Sequence, residues 1–197
     1  MALTLNGSAN TIGGLAVGGL PDGIVDTDML AAEAVSPAKM GNGGIIAVKQ
    51  AVKSDQWSYN TIDTWVDITG LSITHTLANS SNKLLLSYNI NVSSKVGAYS
   101  MAVRMLDDAT VIQTGGSDGS VTVASSGHWS AAYAENYSVL SNTFLYAPGN
   151  TDSNAYHMEA FTPYAEYIYV NRTAGWNNAY NEYISTPSTL TLIEVVA

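Results

Sequence analysis

Beyond residue 44, apolar and polar positions alternate in short runs that are separated by Asn, Asp, Gly, Ser and Pro. Alternation with a period of two residues is typical of a β-strand that buries one face. We expect the apolar members of these runs to form part of a hydrophobic core. The clearest series are Leu84, Leu86, Tyr88, Ile90 and Val92, then Met101, Val103 and Met105, and, less regularly, Leu190, Leu192 and Val195.

The same pattern divides the second part of the chain into short strands with polar turns between them. No long helical period appears among these runs, so the predicted fold class is all-β. So many short strands without helices favour an antiparallel β-sandwich, and a jelly roll is the simplest such fold. The predicted strands lie near residues 45–52, 58–62, 64–68, 72–77, 83–92, 99–106, 110–114, 120–124, 135–146, 155–161, 167–171 and 188–196.

Residues 1–44 have a different composition. They contain none of the chain's Phe, Trp or Tyr residues and more than half of its 17 glycines. Short helices are predicted at 27–35 and 36–40, but both fall below the ~12 to 15 residues that an isolated helix needs in water. Such a segment cannot offset its ordering entropy alone, so we expect an extended arm that docks on other protein. The predicted domains are therefore an arm at 1–44 and a β-sandwich head at 45–197.

Charge excludes several classes of partner. The 7 Lys and Arg against 16 Asp and Glu give a formal net charge of -9, which disfavours nucleic acid and anionic membranes. Charged residues make up only 12% of the chain, against roughly a quarter in typical domains. This composition suits surfaces that pack against other protein. Neither a signal peptide nor a membrane-spanning run is apparent, so we expect synthesis in the cytosol.

Candidate catalytic and metal-binding groups are sparse. His75, His128 and His157 lack the spacing of paired metal ligands, and the chain has no cysteine. No glycine-rich nucleotide-binding motif or nucleophile elbow is present. We therefore predict no cofactor, no metal and no enzymatic activity.

Two acidic segments have simple structural interpretations. Asp107 and Asp108 follow a predicted strand and favour a hairpin turn. Asp63 and Asp67 flank Trp65 with the spacing of one strand face, and exposure of that face to solvent is the favoured interpretation. The run 150–154 alternates oxygen-bearing side chains, as in a calcium loop, but lacks the central Gly and terminal Glu of the helix–loop–helix pattern. A polar turn is the favoured interpretation of that run.

Most of the 12 tyrosines lie at or beyond Tyr133, several of them in loop-like surroundings. Tyr and Trp combine a large contact area with a polar edge, which suits both protein interfaces and sugar stacking. Three interpretations remain open: packing in the sandwich core, contact between subunits, and glycan recognition, with subunit contact ahead of glycan recognition.

The arm resembles the N-terminal segments of virion fibre and decoration proteins of tailed bacteriophages, cyanophages especially. The resemblance lies in the segments 3–8, 10–12, 18–32 and 34–39, the last of which reads Ala34-Val35-Ser36-Pro37-Ala38-Lys39. The segments 65–73 and 81–86 resemble the first strands of the C-terminal heads of such proteins. Together these segments extend the resemblance over essentially the whole chain.

The resemblance implies a homotrimer on the virion surface, with jelly-roll heads similar to the tumour-necrosis-factor type and arms that bind phage capsid or tail proteins. Because the arm is short, a capsid decoration protein or head fibre is favoured. A short tail fibre, whose head contacts a host surface glycan, is the alternative.

The resemblance also gives candidate site residues. The apolar residues of the arm are the expected virion-attachment contacts: Leu3, Leu5, Ile12, Leu15, Val17, Leu20, Ile24, Val25, Met29, Leu30 and Met40. The aromatic candidates for glycan or partner contact in the head are Trp129, Tyr164, Trp176, Tyr180 and Tyr183.

Overall fold

A computed structural model describes residues 4–6, 11–13, 39, 43–94, 100–117, 119, 122–129, 137–163, 167–174 and 184–197. By its internal contacts the chain divides into two compact units, Met1–Met40 and Gly41–Ala197. In the first unit, strands β1 (Thr4–Asn6) and β2 (Thr11–Gly13) pair antiparallel. The helices predicted at 27–35 and 36–40 lie outside the described residues, apart from the exposed Lys39.

The second unit contains two antiparallel sheets. In the six-stranded sheet the order is β3-β13-β6-β12-β4, and β10 pairs with β6. In the five-stranded sheet the order is β5-β11-β7-β8, and β9 pairs with β7. The strands of the first are β3 (Ile45–Lys53), β4 (Trp57–Tyr59), β6 (Lys83–Ser94), β10 (Tyr137–Tyr146), β12 (Ile168–Val170) and β13 (Ser188–Val195); those of the second are β5 (Val66–Thr76), β7 (Ser100–Asp107), β8 (Thr110–Ile112), β9 (Ser126–Trp129) and β11 (Ser153–Phe161).

The hydrophobic core lies between the two sheets, and the alternating residues of the sequence form much of it. All members of the series from Leu84 to Val92 and from Met101 to Met105 are buried, as are Leu190 and Leu192. Fully burying one Leu or Ile side chain contributes about 2 kcal/mol, so this shared core is the main source of stability. The predicted all-β antiparallel sandwich is confirmed. No helix in the described ranges is long and apolar enough to cross a membrane.

Strand β5 differs from its prediction. The sequence predicts two strands, at 64–68 and 72–77, whereas the structure has one strand with an irregularity in its pairing to β11. His157 lies opposite Ser72 and Glu159 lies opposite Asp67, so the residues between Asp67 and Ser72 bulge out of register. Gly70, inside this bulge, has a φ of 92°. The break predicted between residues 68 and 72 therefore corresponds to a bulge within one continuous strand.

Two other strands are shifted from their predicted positions. A strand was expected at 120–124, but residues 122–124 are not in a strand, and β9 begins at Ser126. Strand β4 ends at Tyr59, where its pairing with the three-residue strand β12 ends, and the chain then turns at Asp63, which has a φ of 51°. Asp63 therefore does not share a strand face with Asp67, contrary to the prediction.

Candidate functional site

The predicted attachment residues fall mainly in the part of the chain that the structure does not describe. The exceptions are Leu5 and Ile12, which lie opposite each other in the β1–β2 pair. Their backbones are thereby brought together in one small sheet. The other predicted arm contacts, all outside the described residues, are Leu3, Leu15, Val17, Leu20, Ile24, Val25, Met29, Leu30 and Met40.

Most of the predicted aromatic contacts also lie outside the described residues. Trp129 ends β9, where its backbone pairs with Ser100 of β7. Tyr164, Trp176, Tyr180 and Tyr183 lie outside the described residues.

Several other aromatic side chains pack inside the sandwich. Tyr88 and Tyr156 are buried in the core. Tyr146 meets the Tyr156 ring edge-on at 6.5 Å. Core packing therefore accounts for part of the tyrosine-rich region, in agreement with one of the three interpretations above.

Glu194 of β13 is the centre of a buried polar network that the sequence did not predict. One carboxylate oxygen lies 2.8 Å from His75 Nε2, and the other accepts hydrogen bonds from Asn82 Nδ2 at 2.6 Å and from the Ala78 backbone N–H at 2.8 Å. Burial raises the pKa of this carboxyl, but the three donors outweigh burial and hold the pKa below its usual value. Both carboxylate oxygens are thus engaged by protein donors, and the side chain is only 1% exposed.

A second acidic cluster lies at the hairpin between β7 and β8. Asp107 pairs with Thr110, which leaves Asp108 in the predicted turn with a φ of 50°. Asp107 points between the sheets and accepts hydrogen bonds from Tyr146 Oη at 2.9 Å and from Asn154 Nδ2 at 2.7 Å. Burial, together with the hydrogen bond and charge of Asp107, raises the pKa of Tyr146 to about 12.

These residues border a polar cleft of about 360 Å³, which also includes Asn150 and Asp152. Asn150 Oδ1 accepts a hydrogen bond from the Asp152 backbone N–H at 3.0 Å, which closes a local turn. This geometry supports the polar-turn interpretation of 150–154. In the described part of the chain, no three His, Cys, Asp or Glu residues are placed to hold a metal ion.

The outer face of the five-stranded sheet carries charged groups. His157 Nδ1 lies 2.6 Å from Asp67 Oδ1, and His157 Nε2 lies 2.8 Å from the carbonyl oxygen of Asp108. On the same strand, Glu159 accepts a hydrogen bond from Arg104 Nε at 2.6 Å. The Arg104 guanidinium also stacks over the Trp65 ring at 4.3 Å.

The surroundings of His157 favour its protonated form. Burial lowers its pKa, but the Asp108 carbonyl and the Asp67 carboxylate outweigh burial, and the net shift is upward. Because both ring nitrogens face oxygen acceptors, only the doubly protonated imidazole satisfies both contacts. A general base in a hydrolase triad needs one nitrogen directed at a nucleophile. His157 does not have that arrangement.

Part of the outer face of the six-stranded sheet is different, because three neighbouring cross-strand rows there carry no charge. Lys83 of β6, opposite Val195, is a charged residue beyond these rows on the same face. Val48 of β3 lies opposite Ile193 of β13, Ile193 opposite Leu85 of β6, and Leu85 opposite Leu145 of β10. These four residues form one cross-strand row over four strands. Val48 is 63% exposed and Leu145 is 55% exposed.

Two further rows continue this outer face. They contain Gln50, Thr191, Ser87 and Thr143 in one, and Val52, Thr189, Asn89 and Ser141 in the other. We call these three rows the neutral face, because none of their residues carries a charge. This face was not predicted from the sequence. Its signal was Leu85, an apolar residue at a position where the alternation in β6 predicts a polar one.

A cleft of about 580 Å³ opens beside β7 and β9. Met101, Phe161 and Pro163 contribute apolar walls, and His128 contributes an imidazole whose Nε2 lies 3.2 Å from Ser138 Oγ. The described residues of its lining include no carboxylate and no amine. The described part of the lining therefore offers apolar contact but no acid–base pair.

No protein-family model matches the chain, and no curated protein matches it. Among solved structures, it is similar to a structure of infectious bursal disease virus strain Gx, with a TM-score of 0.41 and 13% identity over 77% of this chain and 37% of that chain. For the Gt strain the TM-score is 0.41, with 14% identity over 77% of this chain and 38% of that chain. For a mutant VP2 protein of the same virus in T=1 particles the TM-score is 0.40, with 13% identity over 77% of this chain and 36% of that chain. The assignment of this chain as an all-β antiparallel sandwich rests on its own strand pairing.

Proposed function

We propose that this chain is a non-enzymatic structural protein of a tailed-phage virion, a homotrimeric capsid decoration protein or head fibre that binds the capsid through residues 1–44. The observation that carries the proposal is the division of the chain. A glycine-rich N-terminal segment without aromatic residues precedes an all-β sandwich with its own core. The resemblance of the N-terminal segment to phage virion proteins gives that division its functional meaning.

The chemistry of the head supports a structural role. Glu194 and Asp107 are buried carboxylates whose oxygens accept hydrogen bonds from protein donors. His157 has an oxygen acceptor at each ring nitrogen. These three ionisable groups of the described part of the chain are therefore engaged in contacts between strands and turns.

The proposed mechanism is stabilisation by binding. Apolar arm residues such as Val25, Met29 and Leu30 become buried across neighbouring capsid subunits. Separating those subunits then also requires removal of the bound protein, so a ligand that binds only the assembled state stabilises that state. Homotrimerisation strengthens attachment because three arms are linked to one another.

The alternative is a short tail fibre that uses its head to bind a host surface glycan. Its support is the set of Tyr and Trp residues in the second half of the head, including Trp176 and Tyr183. If the head has this role, Trp176→Ala weakens adsorption to host cells without changing the protein composition of the particles. Unchanged adsorption favours decoration alone.

The proposed attachment is tested by deleting residues 1–40. This boundary keeps Gly43 and Gly44, which exchange backbone hydrogen bonds with Val196. The truncated head should retain the circular dichroism spectrum of a β-protein but no longer join virions.

A full-length variant, Met29→Asp with Leu30→Asp, makes the same test without shortening the chain. Incorporation of either protein at the wild-type level contradicts attachment through the arm.

A further inference from the structure

The neutral face exposes apolar area that the sandwich itself does not use. Its aliphatic row lies on the side of β13 and β6 opposite to the core residues Leu192 and Leu86, so it contributes nothing to packing between the sheets. Val48, Val52 and Leu145 are each more than half exposed. Contiguous apolar surface of this kind in a folded protein marks an interaction site.

Charge separates this face from the rest of the molecule. The chain has a formal net charge of -9, yet the three rows of the neutral face contain no acidic or basic residue. The outer face of the opposite sheet carries Asp67, Glu159 and Arg104. The neutral face is therefore better suited to contact with protein than the charged outer face of the five-stranded sheet, although Lys83 lies beside it on the same sheet.

We propose that the neutral face is the contact surface for a second copy of this chain. Two acidic copies repel each other over most of their surfaces, whereas an uncharged surface approaches a second acidic copy without placing like charges side by side, as the heterologous interface of a trimer requires. The Thr, Ser, Gln and Asn residues that flank the aliphatic row supply hydrogen-bonding groups for the polar rim of such an interface. This inference rests on the proposed homo-oligomer and assigns the surface that forms it.

The test uses the absence of cysteine from the chain. Single full-length variants Val48→Cys and Leu145→Cys place one thiol on the neutral face. Val111→Cys is the matched control, because Val111 lies on β8 opposite Leu106, on the outer face of the other sheet. The native Val111 side chain is 36% exposed, against 63% for Val48 and 55% for Leu145. In an isolated chain, the neutral-face thiols should therefore react at least as fast as the control.

The measurements are the rate of maleimide labelling and the mass by light scattering, over a range of protein concentrations. At concentrations where the mass is at least twice the 20.8 kDa of one chain, we expect the thiols at 48 and 145 to react about tenfold more slowly than the thiol at 111. Dilution to the monomer should remove the difference.

A second set of variants tests the energetic contribution of the face. Val48→Glu and Leu145→Glu should each raise the concentration at which the oligomer dissociates by about tenfold or more. Val111→Glu adds the same charge to the other sheet and should leave that concentration unchanged. Circular dichroism confirms that all variants remain folded.

The outcomes distinguish this surface from the proposed function. An oligomer whose neutral-face thiols react faster than the control overturns the surface assignment and leaves the homotrimer standing. A monomer at all concentrations that still joins virions overturns the surface and the homotrimer, but not the virion role. If that monomer becomes protected at positions 48 and 145 only on virions, the occupant is another virion protein and the proposal is wrong.

Discussion

His75 Nε2 lies 2.8 Å from a carboxylate oxygen of Glu194, although the two residues are 119 positions apart in the sequence. This contact joins β5 of one sheet to β13 of the other. Both side chains are buried, with 6% and 1% exposure. The interior of the sandwich therefore contains an ionisable pair whose desolvation is offset by specific hydrogen bonds.

Removing the Glu194 carboxylate should strongly destabilise the head. Glu194→Ala leaves the Asn82 amide, the Ala78 backbone N–H and His75 without their acceptor, at a cost of about 3 to 5 kcal/mol. Chemical denaturation of the full chain measures the loss. Asp152→Ala, which removes an exposed acid from a turn, is the control and should change the free energy of unfolding by less than about 0.5 kcal/mol. Equal effects of the two variants would falsify a structural role for this network.

The Glu194 carboxylate should make the free energy of unfolding depend on pH. The folded pKa of Glu194 lies below the ordinary value of 4.5, so its stabilisation is present above that pH and is lost as the pH falls through the folded pKa. We expect the free energy of unfolding of the wild type to exceed that of Glu194→Gln by more at pH 7 than at pH 3. A constant difference over this range contradicts the assignment.

The sequence predicted the parts of the fold that depend on local pattern. The apolar series in β6 predicted both the strand and its buried face, because each side chain's environment follows from its position in the alternation. The prediction was wrong for β9. Its sequence, Ser126-Gly127-His128-Trp129, has little strand propensity, and the strand forms where it pairs with β7.

The buried polar contacts could not be predicted in this way. The partners of Glu194 lie 112 to 119 positions away, and no local pattern indicates which distant donors a carboxylate will meet. The neutral face was missed for a related reason. The row from Val48 to Leu145 becomes continuous only when the register of four strands is known.

Protonation of His157 should stabilise the head modestly. Because its folded pKa is raised above 6.5, this contribution is fully present below pH 6.5 and is lost as the pH rises through the folded pKa. The effect should stay below about 1 kcal/mol, since its partner Asp67 is 66% exposed.

An NMR titration of the His157 ring checks this prediction. The midpoint should lie above 6.5 in the wild type and should fall in Asp67→Asn. Asp63→Asn is the control, because it removes one acid from a nearby turn without touching the imidazole contact. If Asp67→Asn leaves the midpoint unchanged, Asp67 does not cause the shift.

Replacing Asn171 should separate two contributions to stability. Asn171 has a φ of 64° and is fully buried. Its amide nitrogen donates to the Lys53 carbonyl at 2.7 Å, and its amide oxygen accepts from Ser188 Oγ at 2.5 Å. The side chain thereby links the ends of β3, β12 and β13.

Asn171→Gly keeps the backbone conformation and loses the side-chain bonds, so we expect a loss of about 2 to 3 kcal/mol. Asn171→Ala should lose about 1 to 2 kcal/mol more, because Ala disfavours a positive φ. Both losses are measured by chemical denaturation. Identical stabilities for Gly and Ala contradict the conformational contribution, and a Gly variant as stable as the wild type contradicts the hydrogen-bond contribution.

The bulge in β5 should require Gly70 because of its positive φ. A side chain at this position would not be crowded by neighbouring atoms. At a φ of 92°, Gly70 has room for a Cβ, since the nearest atom, Lys53 Nζ, lies 3.8 Å from that position. Gly70→Ala should therefore cost about 1 to 2 kcal/mol from backbone strain alone.

Gly116→Ala is the matched control, with no heavy atom within 4 Å and no positive φ, and should change stability by no more than about 1 kcal/mol in the stabilising direction. Gly70→Asn should fall between Gly and Ala, because Asn tolerates a positive φ better than Ala. If both Gly→Ala variants shift the denaturation midpoint equally, the bulge does not require glycine, and its position must be fixed by the pairing with β11.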